Sequence, residues 1–291
     1  MRRSVVGLVA GCVGLALAGV AAAGFVTGTS GSLTLQSDPG DYVGQGQTAS
    51  FSAPADTFLS HGDGSTMRVD VHPQDYPTEW WQVVFAAPAG QQLTPGTYPN
   101  AARWPLQPAS QPGLQVFGDG RGCNTLNGTF TVLSASYGPY GYPISFDATF
   151  EQHCEGFAAA LRGEVKIANP TPPPPLQVQL TADSTGSRSG SAAVVHGTVT
   201  CNQNAVAPVQ VSISQAARRS TVTGTTTVSV SCSTSSSPWS ATVSPASGSF
   251  GKGTVTVSAQ TSVVDSFYSN YTANNPVVTA SASTTTAVRL K

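Results

Sequence analysis

The sequence predicts an all-β protein of two domains, an antiparallel β-sandwich or barrel followed by an immunoglobulin-like β-sandwich. Three observations lead there. Short runs that alternate apolar and polar residues recur along the chain, separated by Gly, Pro, Asn and Ser clusters. Helical periodicity is almost absent. A proline-rich break, NPTPPPPLQ, interrupts the pattern past the midpoint and reads as an extended, semi-rigid spacer. The expected boundaries are 1–23 for an export signal, 24–168 for the first domain, 169–176 for the linker and 177–291 for the second domain.

The first segment, MRRSVVGLVAGCVGLALAGVAAAG, sets Arg2 and Arg3 before an apolar run over 5–20 and then Ala21, Ala22 and Ala23. That order of charge, apolar stretch and small residues marks a secretory signal removed on export. The tetrapeptide VAGC at 9–12 has the form of a lipidation box. Only about five apolar residues precede Cys12 and a longer run follows it, so lipidation is not expected. No second apolar run reaches the ~18 residues of a membrane span. The expected location is therefore secreted, in the extracellular space or cell envelope. With no sorting motif or apolar C-terminal tail in view, free secretion is favoured over anchoring.

In the first domain, WWQVVF puts Trp81, Val83 and Phe85 on one face, and ISFDATF does the same with Ile144, Phe146, Ala148 and Phe150. LRGEVKI turns Leu161, Gly163, Val165 and Ile167 inward and leaves Arg162, Glu164 and Lys166 to solvent. Each reads as a half-buried antiparallel strand. HGDGST, APAG, TPGTYP and GDGRG supply the Gly, Pro and Asp that tight turns require.

The second domain alternates small apolar residues with Ser, Thr or Gln in SAAVVHGTVTC, PVQVSIS, TTTVSVSC, PWSATV and GTVTVSAQ. The inward set is Val195, Val199, Cys201, Val209, Val211, Ile213, Val228, Val230, Cys232, Trp239, Ala241, Val243, Val255 and Val257. With LQVQLTA at 176–182 and VVTASAS at 277–283 this makes about seven strands in about 115 residues, the size of an immunoglobulin-like sandwich. Trp239 follows the second cysteine instead of lying between the two, unlike the antibody arrangement.

Beyond the signal, Cys123, Cys154, Cys201 and Cys232 remain, two on each side of the linker. Four cysteines allow three pairings. One bridge per domain is the economical choice, Cys123 with Cys154 and Cys201 with Cys232, each closing a loop worth roughly 3.5 to 4 kcal/mol in the chain-entropy model. A metal site at Cys123 would need Cys154 with His153 and His61 or His72, but no C-x-x-C or H-x-x-x-H spacing supports it.

Residues 24–168 hold 5 Lys or Arg against 12 Asp or Glu, a net of −7, while the part beyond the linker holds 6 against 2, a net of +4. The opposite signs predict weak, salt-screened docking of the two halves. Neither half has a basic cluster interleaved with aromatic residues, so no nucleic-acid partner is expected.

Four blocks in the first domain, DPGDYVGQGQ, PGTYPNAARWP, GDGRGCNTLNGTFTVL and FDATFEQHCEG, resemble an uncharacterised domain of exported bacterial proteins over about residues 33–167. GTVTC, VSISQ, VSVSC, PWSATV and SFGKGTVTV resemble an uncharacterised immunoglobulin-like domain of secreted actinobacterial proteins over about residues 178–260. The resemblance implies export and β architecture and transfers no catalytic residue.

Trp80, Trp81, Trp104, Tyr140 and Tyr142 are the candidate ligand-binding residues, because exposed rings can stack on sugar faces. Alternation buries one Trp of the Trp80–Trp81 pair and leaves the other accessible. Asp38, Asp41, Asp63 and Asp70, with Asp75 near them, lie in loops of the kind that offer oxygen ligands to calcium. No D-x-D-x-D-G run accompanies them, and Asp beside Gly or Pro is first of all a turn former. No metal or other cofactor is therefore assigned.

For catalysis, neither half carries a G-x-S-x-G elbow, and nothing places a nucleophile beside His61, His72, His153 or His196. His196 falls on an outward strand position. No catalytic residue is assigned. The expected function is a secreted, disulfide-stabilised binding or adhesion protein whose ligand is a carbohydrate or a surface protein. Its rivals are a secreted hydrolase built around His61 and His72, and an inhibitor acting on another protein through the tyrosine loop. The Ser/Thr-rich outward face of the second domain leaves its sheet edges poorly guarded by charge.

Overall fold

The computed structural model describes residues 24–218, 220–272 and 276–291. The expected signal segment 1–23, with Cys12, lies outside the described residues. The described residues are nearly all β, with nineteen strands, one short α-helix and one 3-10 turn.

The N-terminal half forms a single eleven-stranded sheet. Its order is Val26–Thr27, Thr57–Gly62, Thr66–His72, Trp81–Ala86, Gly113–Gly118, Gly96–Arg103, Leu126–Tyr137, Pro143–Cys154, Ala160–Ala168, Ser30–Ser37 and Thr48–Ser52. The stretch 26–37 meets both ends of this order. Val26–Thr27 pairs with Thr57–Gly62, and Ser30–Ser37 pairs with Ala160–Ala168, so the sheet curls round onto itself. At that seam a Cβ on Gly31 would lie 2.4 Å from the ring of Phe58, so only glycine lets the strand pass over this buried ring.

The curl encloses a core that includes Leu33, Val69, Val83, Phe85, Leu114, Phe130, Phe146 and Val165. Phe85 is at its middle, its ring centroid 5.1 Å from that of Phe130 and 5.5 Å from that of Phe146. The seam between Gly113–Gly118 and Pro143–Cys154 is closed by a side chain. Fully buried Gln152 donates from Nε2 to the Val116 carbonyl (2.8 Å) and accepts from the Val116 N–H at Oε1 (2.9 Å). A primary amide offers the same donor and acceptor as a peptide unit, and here it stands in for one.

Two expectations change. Trp81–Ala86 is buried on both faces, because Gln82 and Val84 are covered as completely as Trp81, Val83 and Phe85. The turn read in TPGTYP ends early. A strand, Gly96–Arg103, begins at its glycine, and Tyr98 stacks on Phe130 with centroids 4.6 Å apart.

The C-terminal half forms an eight-stranded sheet in the order Val178–Leu180, Ala192–Cys201, Thr185–Ser189, Thr279–Leu290, Gly253–Val264, Ala205–Ala217 and Ser220–Cys232, with Ser237–Val243 paired to Ala192–Cys201. The Cys201–Cys232 disulfide joins two strands far apart in that order, which requires the sheet to fold over on itself. The second bridge, Cys123–Cys154, lies in the first sheet, so both bonds pair as the sequence predicts. Two separate cores result, one of residues between 33 and 167 and one of residues between 176 and 290.

The predicted inward set of this half is buried, apart from Val228 and Val230, which stay half-buried. The strand read in LQVQLTA shrinks to Val178–Leu180, and that read in VVTASAS lengthens to Thr279–Leu290. Thr185–Ser189 and the helix Ser266–Tyr271 have no counterpart in the sequence reading. The helix is capped by Asp265, whose carboxylate accepts from the Tyr268 N–H at 3.1 Å.

The linker is fastened at both ends. A proline run lacks N–H donors but keeps every carbonyl, so it can only accept. Tyrosine hydroxyls supply the donors, Tyr142 to the Pro170 carbonyl (2.9 Å) and Tyr268 to the Pro173 carbonyl (2.7 Å). The Leu176 N–H donates to Asp265 Oδ2 at 2.8 Å, while Asn169 is buried between Ser60 and the Pro143 carbonyl. The halves meet through tyrosine hydroxyls, and among the described residues every ion pair lies within one half.

Candidate functional site

Alternation on Thr66–His72 sends Met67, Val69 and Val71 into the core and Arg68, Asp70 and His72 to the opposite face. The register sets Gln82 directly across from Asp70. Asp70 receives a two-pronged ion pair from Arg68, Nε to Oδ1 and Nη2 to Oδ2, each at 2.8 Å, and a third bond from Gln82 Nε2 at 2.7 Å. Arg68 also lies 4.8 Å from the centroid of Phe25. These three bonds link Arg68, Asp70 and Gln82 into one polar floor.

The loop 73–80 walls this floor with rings. Tyr76, half exposed at 51%, stacks on His72 with centroids 4.0 Å apart and planes at 20°. Trp80 packs edge-on to Phe117 at 5.3 Å, and its backbone N–H donates to Asp119 Oδ1 at 2.9 Å, tying the loop end to a neighbouring turn. The result is an open groove of about 300 Å³ lined by Arg68, Asp70, His72, Tyr76, Trp80 and Gln82. It combines ring faces with bidentate polar groups, the pattern that fixes a small polar ligand.

The predicted aromatic residues fare differently. Trp80 lines the groove, half-buried, while Trp81 is only 5% exposed and donates from its indole nitrogen to Glu79 Oε1 at 3.1 Å. One member of the pair is accessible, because Trp80 lies in the loop just ahead of the strand that begins at Trp81. Trp104 lies elsewhere, its N–H bonded to the Leu114 carbonyl at the far end of the strand that carries Gly118 beside Trp81.

Tyr142 is corrected, because it is buried in the contact between the halves, whereas Tyr140 beside it stays half exposed at 48%. Tyr142 is 1% exposed, with its ring 5.2 Å from that of Tyr271, and Tyr140 lies 4.8 Å from Tyr268. Burial raises the Tyr142 and Tyr271 phenols above the ordinary tyrosine value and pushes Tyr268 up to about 12.

His61 and His72 do not share a cleft. His72 pairs with Thr57 and His61 with Arg68, so they stand at opposite ends of one hairpin, four strand positions or roughly 13 Å apart. His61 lies between Phe25 and Tyr271, with Nδ1 bonded to the Gly24 carbonyl. It borders a hollow of about 490 Å³ with Asp63, Tyr140, Tyr271 and Thr272. Neither Asp63 nor Thr272 is free there: Asp63 Oδ1 accepts from the Ser65 and Thr66 N–H groups, and the Thr272 hydroxyl bonds to backbone carbonyls.

The acidic candidates are each engaged by protein donors. Asp63 caps its own turn, and Asp70 holds Arg68. Asp41 is buried, and its Oδ2 accepts from the Ser37 hydroxyl and the Gly44 N–H. Asp38 accepts from the Ala160 N–H and from Arg162, and these two hold its carboxyl below the usual range. Arg162 also reaches Glu151, whose other oxygen contacts His153 Nε2 at 3.0 Å. His153 first and Arg162 second keep the Glu151 carboxyl low. Among the described residues no three His, Cys, Asp or Glu side chains gather as a metal site would need.

A larger hollow, about 630 Å³, lies on the exposed face of the other half among Pro208, Gln210, Thr227, Gln260, Ser262 and Ser281. It offers neither a ring nor a charged group, so the groove of the first sheet is the stronger candidate. Tyr76 was missed in the sequence, although the Tyr76-Pro77 pair, three residues before two tryptophans, was the available signal. No protein-family model matches the chain, and no curated protein matches it significantly.

Proposed function

We propose that this chain is an exported, non-catalytic binding protein, and that the groove of Arg68, Asp70, His72, Tyr76, Trp80 and Gln82 recognises a carbohydrate. In this reading residues 1–23 direct export, 24–168 form the recognition domain, and 177–291 form an immunoglobulin-like domain that presents it. The observation that carries the proposal is the stack of Tyr76 on His72 beside a hydrogen-bonded Arg68–Asp70–Gln82 floor. Sugar rings present C–H faces to aromatic planes and hydroxyl pairs to bidentate groups, and the groove offers both kinds of contact. Two disulfides fit an oxidising compartment outside the cytoplasm. No helix among the described residues is long and apolar enough to cross a membrane.

The test is a glycan array followed by titration calorimetry on the best hit, with Tyr76→Ala and Trp80→Ala beside the parent chain. Loss of tenfold or more in affinity in both variants supports the groove. Binding that survives both variants, or no binding to any glycan, removes the proposal. A hydrolase panel run with and without EDTA on the same preparations tests the enzymatic rival.

A further inference from the structure

The strand Ser220–Cys232 is thirteen residues long, STVTGTTTVSVSC, and contains no charged residue and no proline. It ends the strand order of its sheet, and its only strand partner is Ala205–Ala217, paired along its whole length. Protein edges are ordinarily guarded by charge, proline, a bulge, shortness or a covering loop; this one has only the segment Ser244–Ala246, which lies against Thr223 and Gly224 and leaves Thr225–Cys232 uncovered by it.

The direction of its free groups follows from one bond. The Thr223 carbonyl accepts from the Ala246 N–H at 2.8 Å, so it points away from Ala205–Ala217. Because peptide groups alternate sides along a strand, Thr225, Thr227, Ser229 and Ser231 also aim their N–H and C=O outward. The side chains give a second, independent sign. Val228 and Val230, on the inward phase, remain half-buried, whereas the inward valines of the inner strands are fully covered. The core is left partly open along this edge.

We propose that the edge of Ser220–Cys232 pairs antiparallel with the same edge of a second copy of this chain, forming a two-fold dimer through a continuous sheet. The register that uses every free group sets Thr225 opposite Ser231 and Thr227 opposite Ser229. It places Val228 beside its own symmetry mate and Val230 beside Thr226, which covers the half-exposed valines. No like charges oppose each other in this arrangement. The occupant follows from the other end of the sheet. There the terminal strand, Val178–Leu180, is only three residues long, and Ser237–Val243, paired only to Ala192–Cys201, is seven, so head-to-tail stacking cannot match the thirteen-residue edge, whereas the long edge matches itself and closes.

The test uses the whole chain in three forms. Sedimentation velocity over a range of concentrations should show a monomer–dimer equilibrium for the parent. Thr227→Pro deletes one outward N–H without breaking a bond of the hairpin, and it should weaken association tenfold or more. Val228→Cys should cross-link into a covalent dimer under mild oxidation, read on non-reducing gels. The control, Ser212→Cys on the neighbouring inner strand Ala205–Ala217, one strand in from the edge, should remain monomeric. Even if the proline variant folds poorly, the cysteine pair decides the matter. A parent that stays monomeric at every concentration, as an edge reserved for a foreign peptide would leave it, overturns the proposal. Equal cross-linking of the two cysteine variants overturns it too.

Discussion

The hydroxyl of Tyr271 forms a two-way hydrogen bond with Gly62, accepting from its N–H at 3.1 Å and donating to its carbonyl, across 209 positions of sequence. With the two tyrosine–proline bonds it fastens the halves of the molecule through phenol hydroxyls set among stacked rings. Such a contact responds to pH and to the loss of one oxygen, and salt should leave it unchanged.

Tyr271→Phe keeps the ring and removes the oxygen. Leaving the Gly62 N–H and C=O buried and unpaired should cost about 1 to 3 kcal/mol. Denaturant unfolding measures the loss, and limited proteolysis within 169–176 should quicken. Raising the salt concentration should reproduce neither effect.

High pH should loosen the same contact. Burial raises the phenols of Tyr268, to about 12, and of Tyr271 in the folded chain, while both titrate near 10 when unfolded. Between pH 10 and 12 the unfolded chain therefore binds fewer protons than the folded one. Stability is complete below pH 10 and falls as pH rises toward 12, by up to about 1.4 kcal/mol per pH unit for each tyrosine. Thermal melts of the parent and of Tyr268→Phe across this window check the sign, and the variant should fall less steeply.

Gln152→Leu should destabilise the first half strongly for a surface-neutral change. It strands the Val116 N–H and C=O in a fully buried seam, at about 1 to 3 kcal/mol for the pair of lost bonds. Hydrogen exchange at Val116 should accelerate, while amides in Gly253–Val264 should not change.

Removing either disulfide as a Cys-to-Ser pair should cost about 2 to 5 kcal/mol. The two bonds lie in separate cores, so their effects should add when both are removed. Chemical denaturation of the single and double variants tests the additivity.

The sequence by itself determined what depends on period and parity. Val195, Val199, Val209 and Val211 fall on the inward phase of their strands and are buried. Two cysteines on each side of the prolines pair locally. These are near-neighbour properties, in which a side chain's face is set by counting residues along an extended chain.

Tertiary structure alone decided which surfaces remain free, because that depends on contacts between residues far apart in the chain. In the sequence Tyr140 and Tyr142 look like an exposed Gly/Pro loop, yet Tyr142 is buried against Tyr271, from about 130 positions away, while Tyr140 alone stays half exposed. Gln152 occupies an ordinary inward position, and only the curl of the sheet brings Val116 to it. Tyr76 joins the groove only where the fold of the loop 73–80 sets its ring on His72 of the preceding strand. Val228 and Val230 keep the inward phase that their spacing predicts but lie half-open, since no local pattern shows that their strand ends the sheet.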